Sequence, residues 1–322
     1  MAGLRTEHAA SKHPVWLWLD PTTRCNLECR LCYTKQSHGK LDMDPPDLKI
    51  ILQKLKYSGS VQPKTIHLNW RGEPLMNPRF ADLLATVRDV MPDIPLQWHT
   101  NGTMLTHKRV REILAVDWPH KIFVSIDGGN ERSHDLNRGK GTFRKTMRGL
   151  ETLLEHGKGR AGLTIGVYQI DLGESEENYD DEFRRLVAMV DDHVKVKALV
   201  PGGAEHNITS ADTLESDETL DRMVAEEVAA FMPVPQGPCF WAGHVLCVAP
   251  DGQVWICVIS HGKLGVVGNL VTESAEVVVG RALAFRAELA AKGRQNMQHC
   301  RTCRKPEGRI FAKNLAPDAE AA

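Results

Sequence analysis

Cys25-Asn26-Leu27-Glu28-Cys29-Arg30-Leu31-Cys32-Tyr33 sets three cysteines at CxxxCxxC spacing just after a short apolar run at residues 15–19. Thiolates are the usual ligands of iron–sulfur clusters, and three of them leave one iron of a cubane open to chelate a small molecule and pass it an electron. A structural zinc site and a redox dithiol are the alternatives, but zinc knuckles prefer shorter CxxC pairs with a second pair nearby. Working outward, apolar runs at 15–19, 65–68, 96–99, 122–126, 163–168 and 194–200 alternate with helical patterns at 47–55, 79–90, 107–114, 143–154 and 182–190. This alternation is the mark of repeated βα units on a parallel sheet. It predicts an α/β fold, a partial (β/α)6 TIM barrel, whose reactive groups gather at the C-terminal strand ends. The cysteine loop follows the first strand and so lies at that end.

The chain has 322 residues, and 40 basic against 41 acidic side chains give a net charge of -1. That balance offers no electrostatic case for nucleic acid or an anionic membrane surface. The N-terminus lacks a secretory apolar run, and no stretch reaches the about 18 apolar residues of a membrane helix. A cytoplasmic protein is expected. Eight cysteines in a reducing compartment then argue for metal or redox chemistry rather than disulfides.

The expected organisation is an extension at 1–14, the barrel at 15–232, a second domain at 233–311 and a disordered tail at 312–322. A helical pattern at 215–231 leads into the proline- and glycine-rich turn at 233–238, which reads as a boundary. Beyond it, runs at 245–248 and 254–258 flank Pro250-Asp251-Gly252 as a hairpin, and a helix is expected at 282–291.

The cysteine triplet resembles that of the radical S-adenosylmethionine (SAM) enzymes, and further motifs occur in the family's order. The resemblance implies that Cys25, Cys29 and Cys32 hold a 4Fe–4S cluster and that Tyr33 meets the adenine through its backbone. Arg71-Gly72-Glu73-Pro74 resembles the family's GGEP motif, with Glu73 receiving the methionine ammonium beside Gly72 and with Arg71 in place of the first glycine. Asn101 after the third strand, Ser125 and Asp127 after the fourth, and Gln169 ending the fifth match further SAM contacts. Such enzymes split SAM into methionine and a 5′-deoxyadenosyl radical. They draw electrons from an external flavodoxin- or ferredoxin-type donor.

Five cysteines remain, Cys239, Cys247, Cys257, Cys300 and Cys303. Cys239, Gly252, Cys257, Cys300 and Cys303 resemble the twitch form of the SPASM pattern, which implies a β-hairpin plus helix domain with a second 4Fe–4S cluster. Four structural zinc ligands are the alternative. Cys247 is spare. A two-residue loop at Asp251-Gly252 pairs it with Ile256 on the face opposite Cys257, whereas a glycine-bulge turn pairs it with Trp255 on the same face. Cysteine is often a small buried apolar residue. The sharper reading makes its thiol a hydrogen-atom donor.

A twitch domain with one extra cysteine resembles the aminoglycoside epimerases, of the kind that convert neomycin C to neomycin B. The implied reaction inverts a C–H stereocentre, with Cys247 as catalytic donor; oxidation of an aminocyclitol or amino sugar alcohol by a dehydrogenase is the alternative. Peptide maturation and a zinc-bound interaction module are further alternatives. Seven carboxylates between Asp171 and Glu182 form a field suited to a polycationic aminoglycoside, with Glu177 and Asp180 as candidate contacts.

Overall fold

The computed structural model describes residues 13–30, 32, 34, 39–172, 174–197, 239–258, 265–298 and 300. The expected helix at 215–231, the boundary at 233–238 and the tail at 312–322 lie outside the described residues, as do Tyr33 and Cys303. Each of the six apolar runs forms a parallel strand: β1 (His13–Leu19), β2 (Val61–His67), β3 (Leu96–Thr100), β4 (His120–Asp127), β5 (Leu163–Asp171) and β6 (Asp192–Lys197).

Between the strands lie α1 (Pro45–Ser58), α2 (Phe80–Val90), α3 (His107–Leu114), α4 (Glu131–Arg138), α5 (Thr142–Gly157) and α6 (Asp181–Val187). Proline opens α1 and Gly59, at φ 67°, closes it, the usual asymmetry of helix ends. Helix α4 carries no apolar stripe; its buried residues are Ser133, His134 and Asn137, and Asn130 caps it by accepting from the Ser133 amide.

Successive strand residues alternate between two faces. Leu17, Leu19, Ile66, Trp98, Ile122, Val124, Ile165 and Val167 are fully buried on the face that the helices cover. There Trp98 meets Phe80 of α2 edge-on at 4.7 Å. The opposite, concave face carries rings: Trp18 stacks on His67 at 3.7 Å, and His99 lies 5.1 Å from Phe123 and 4.9 Å from Tyr168.

The late segment joins this sheet directly. After α7 (Phe240–His244), β7 (Val245–Val248) pairs parallel with β1, and β8 (Gln253–Trp255) and β9 (Val266–Asn269) follow antiparallel. The sheet order is β6-β5-β4-β3-β2-β1-β7-β8-β9. Gly252 adopts φ 81°, and Cys247 pairs with Trp255, the register of the glycine-bulge turn. Helix α8 (Ala275–Lys292) is longer than the expected 282–291. Lys54 of α1 ties this region to the barrel, donating to the carbonyls of Leu270, Val271 and Glu273 at 2.8 Å each.

Candidate active site

β1 delivers the chain to the C-terminal mouth of the sheet, where the cysteine loop begins. The Cys32 amide donates to the Cys29 carbonyl at 3.3 Å, and the Arg30 amide to the Asn137 carbonyl of α4 at 2.9 Å. All three cysteines are half-buried. Burial pushes the Cys25 thiol up to about 11 and the Cys29 thiol up to about 12, and the neighbouring cysteines add to both shifts. Three converging, partly desolvated thiols need a cationic partner to exist as thiolates, and cluster iron is such a partner, so the donor set fits the cluster.

The loop at residues 71–74 packs against the cysteine loop backbone to backbone. A Cβ on Gly72 would lie 2.3 Å from the Thr22 carbonyl oxygen and 2.4 Å from that of Arg24, so only glycine fits. The Glu73 amide donates to the Arg24 carbonyl at 2.8 Å. The Glu73 carboxylate accepts from Thr100 Oγ1 at 2.6 Å, the Asn101 amide at 2.7 Å and the Leu75 amide at 3.2 Å. Burial nevertheless holds it above the usual carboxylate range. A ligand ammonium suits that carboxylate.

Asn101 is occupied structurally: its Nδ2 donates to Asn26 Oδ1 at 2.9 Å, and its Oδ1 accepts from the Thr103 amide at 2.9 Å. Half-buried Ser125 has a hydroxyl without a partner among the described residues.

Two of the positions matched to SAM contacts, Asp127 and Gln169, have side chains engaged within the protein. Asp127 is fully buried and accepts from Arg138 Nε at 2.7 Å and Arg138 Nη2 at 2.8 Å, and also from Asn137 Nδ2. Burial alone would raise it, but the Arg138 charge and these donors outweigh that and hold it below the usual range. Its carboxylate thus anchors Arg138. Arg138 is the residue that sequence reasoning missed, and its charge reaches Cys25, Cys29 and Glu73. Gln169 continues the parity of Ile165 and Val167 and so lies on the helix-covered face. There its Nε2 donates to the Gly128 carbonyl at 2.9 Å and to Tyr179 Oη at 3.1 Å, with His193 Nε2 at 2.9 Å from its Oε1.

Of the late cysteines, Cys300 is buried with Ala242, Leu289 and Met297 in a small core against which Cys239 packs. Cys257 lies in the main core, which Cys239 also touches. Cys247 is fully buried beside Trp18 of β1. Burial, reinforced by the charge of Cys257, pushes its thiol far up.

Three of the seven carboxylates in the acidic run, Asp171, Glu176 and Asp181, are paired with cations, and two others accept from uncharged donors. Glu174 accepts from Ser133 Oγ at 3.0 Å and Asn130 Nδ2 at 2.8 Å. Lys195 pairs with Glu176 at 3.3 Å and Asp171 at 4.0 Å, and Arg184 with Asp181 at 2.9 Å. Asp180 accepts from the Glu131 amide at 3.2 Å, and Glu177 stands exposed.

Residues 19–186 match the radical SAM superfamily. The chain belongs to that superfamily. Residues 239–304 of this radical SAM enzyme match an iron–sulfur cluster-binding domain, SPASM. Its cofactors are therefore SAM and two iron–sulfur clusters, and it works with an external reductant. It is 26% identical to the mycofactocin maturase MftC of Mycolicibacterium smegmatis, over 81% of this chain and 68% of that protein. The fold is similar to that of SuiB of Streptococcus suis bound to the precursor peptide SuiA (TM-score 0.62, 13% identity, 92% of this chain and 72% of that one). It is also similar to BtrN in complex with AdoMet and 2-DOIA (TM-score 0.51, 16% identity, 91% and 93%). Among the described residues, no helix is long and apolar enough to cross a membrane.

Proposed function

We propose that this radical SAM enzyme is a cytoplasmic epimerase that inverts a C–H stereocentre of an aminoglycoside, with Cys247 as the hydrogen donor. The observation that carries the reading is the position of Cys247. It is the one late cysteine outside the twitch ligand pattern, and β7 sets it beside Trp18 of β1, one residue before that strand ends at the cysteine loop. The bulge register pairs it with Trp255, and the charge of Cys257 reaches it.

When bound, the first cluster and SAM supply a 5′-deoxyadenosyl radical that takes hydrogen from a substrate carbon. Glu73 would receive the methionine ammonium. Cys25, Cys29 and Cys32 would hold the first cluster, and Cys239, Cys257, Cys300 and Cys303 the second. The Cys247 S–H bond then breaks as a C–H bond forms on the opposite face of the substrate. The resulting thiyl returns to thiol by taking one electron from a flavodoxin- or ferredoxin-type donor and one proton from solvent. Glu177 is a contact for a cationic substrate.

The test is mass spectrometry of product formed from candidate aminoglycosides in D2O. One deuterium at the inverted carbon is expected, because a thiol exchanges with solvent, and Cys247→Ala should abolish inversion. Unlabelled product, or inversion that survives Cys247→Ala, refutes the reading.

A second reading is oxidation of an aminocyclitol or amino sugar alcohol, supported by the fold likeness to BtrN solved with 2-DOIA. It predicts product two mass units lighter and little dependence on Cys247. Peptide modification, to which the sequence likeness to a mycofactocin maturase lends support, would leave aminoglycosides unchanged and alter a peptide.

A further inference from the structure

Residue 71 stands where the GGEP motif has its first glycine, and its arginine side chain is turned inward, 11% exposed. Arg71 Nε donates to Asp20 Oδ2 at 2.7 Å, and the Arg71 amide donates to Asp20 Oδ1 at 3.3 Å. Asp20 is itself fully buried, and its amide donates to the Val248 carbonyl at 2.9 Å, next to Cys247 in β7. The guanidinium lies 4.3 Å from the Trp70 ring and 5.1 Å from the Trp255 ring, and Trp255 is the cross-strand partner of Cys247. Trp70 Nε1 donates to the Val258 carbonyl at 2.8 Å. The Arg71 carbonyl accepts from Thr34 Oγ1 at 3.0 Å, and that hydroxyl lies 3.3 Å from Cys32 Sγ. One side chain and its own peptide therefore touch the first barrel strand, the cysteine loop and the late hairpin.

We propose that Arg71, anchored by Asp20, is a positioning residue that fixes the Cys247–Trp255 pair relative to the SAM loop, so that hydrogen returns to the substrate face opposite abstraction. The proposal rests on Cys247 being the donor. A planar guanidinium can accept a ring on its face while its edge pairs with a carboxylate, which a lysine ammonium cannot reproduce. Glycine at 71 removes both links at once. Hydrogen return from a fixed thiol is sensitive to placement, and a misplacement of about 1 Å commonly costs on the order of a hundredfold in rate. A substrate radical that waits too long is lost to other fates.

The experiment compares wild type, Arg71→Gly, Arg71→Lys and Asp20→Asn, reconstituted with both clusters and turned over in D2O with the aminoglycoside that wild type inverts. The readout is deuterated, inverted product per 5′-deoxyadenosine formed. This ratio cancels differences in SAM cleavage and in the fraction of protein folded, which a merely structural role would alter. A fall of at least tenfold is expected for Arg71→Gly and for Asp20→Asn, with partial recovery in Arg71→Lys. A second readout, taken before substrate is added, is amide exchange across residues 245–258, which should quicken in Arg71→Gly. If Arg71→Gly does not fold, Asp20→Asn and Arg71→Lys carry the comparison. A ratio within twofold of wild type in every folded variant overturns the proposal. Wild-type product without deuterium refutes the donor reading and this one with it, whereas labelled wild-type product with unchanged ratios refutes only the role of Arg71.

Discussion

Replacing Gly72 by alanine tests the idea that the SAM loop and the cysteine loop are built as one body. The added Cβ would meet the carbonyl oxygens of Thr22 and Arg24 at 2.3 and 2.4 Å. Both are backbone atoms, so no side-chain rotation relieves the contact. An ordinary carbon–oxygen separation requires the loops to part by about 1 Å, and overpacking of this kind costs about 1–3 kcal/mol. Parting also weakens the bond from the Glu73 amide to the Arg24 carbonyl, 2.8 Å long, for about 1 kcal/mol more. The expected loss is about 2–4 kcal/mol, read from the urea midpoint of Gly72→Ala against wild type. Because Cys25 directly follows Arg24, iron bound per chain after anaerobic reconstitution should fall in parallel. A variant within about 0.5 kcal/mol of wild type that also takes up its full iron would refute the reasoning.

Arg138→Met leaves the Asp127 carboxylate buried without its cation and should cost about 3–5 kcal/mol in a denaturant titration; the double variant with Asp127→Asn should recover part of this. His134 is fully buried, and burial followed by the Arg138 charge lowers its pKa from 6.5 to about 4. A depressed folded-state value means its contribution is complete above pH 6.5 and is lost as pH falls through 4. Urea midpoints over that window should therefore drop by up to about 3 kcal/mol from this residue, a share missing from the slope of His134→Gln. Lys54→Met removes three bonds from a charged donor, and amide exchange in α8 should quicken while that in β4 and β5 stays as in wild type.

The barrel strands were legible because parallel strands covered by helices read as nearly continuous apolar runs, and the cysteine loop because its ligand chemistry fixes its spacing. Helix α4 was not, since it buries Ser133, His134 and Asn137 and shows no 3.6-residue apolar pattern; its one sequence signal is Asn130 three residues before Ser133. Arg138 is hidden with it. Gln169 is a different case. The strand-end motif suggested a ligand contact, but the two-residue period carried forward from Ile165 and Val167 already turns it to the helices. The hairpin register could not be read locally, because part of what holds the turn is distant: Asn269 Nδ2 donates to the Asp251 carbonyl at 2.8 Å from β9.

The pairing of β7 with β1 makes the late segment an integral neighbour of the barrel's first strand. A protein cut before Cys239 would leave the β1 edge unpaired, with Trp16 and Trp18 beside it, and such an edge is a template for intermolecular pairing. Neither half is then a separable cassette. Exchange of the late segment between relatives is constrained first by a four-residue strand that must fit β1, and only afterwards by the cysteines it carries.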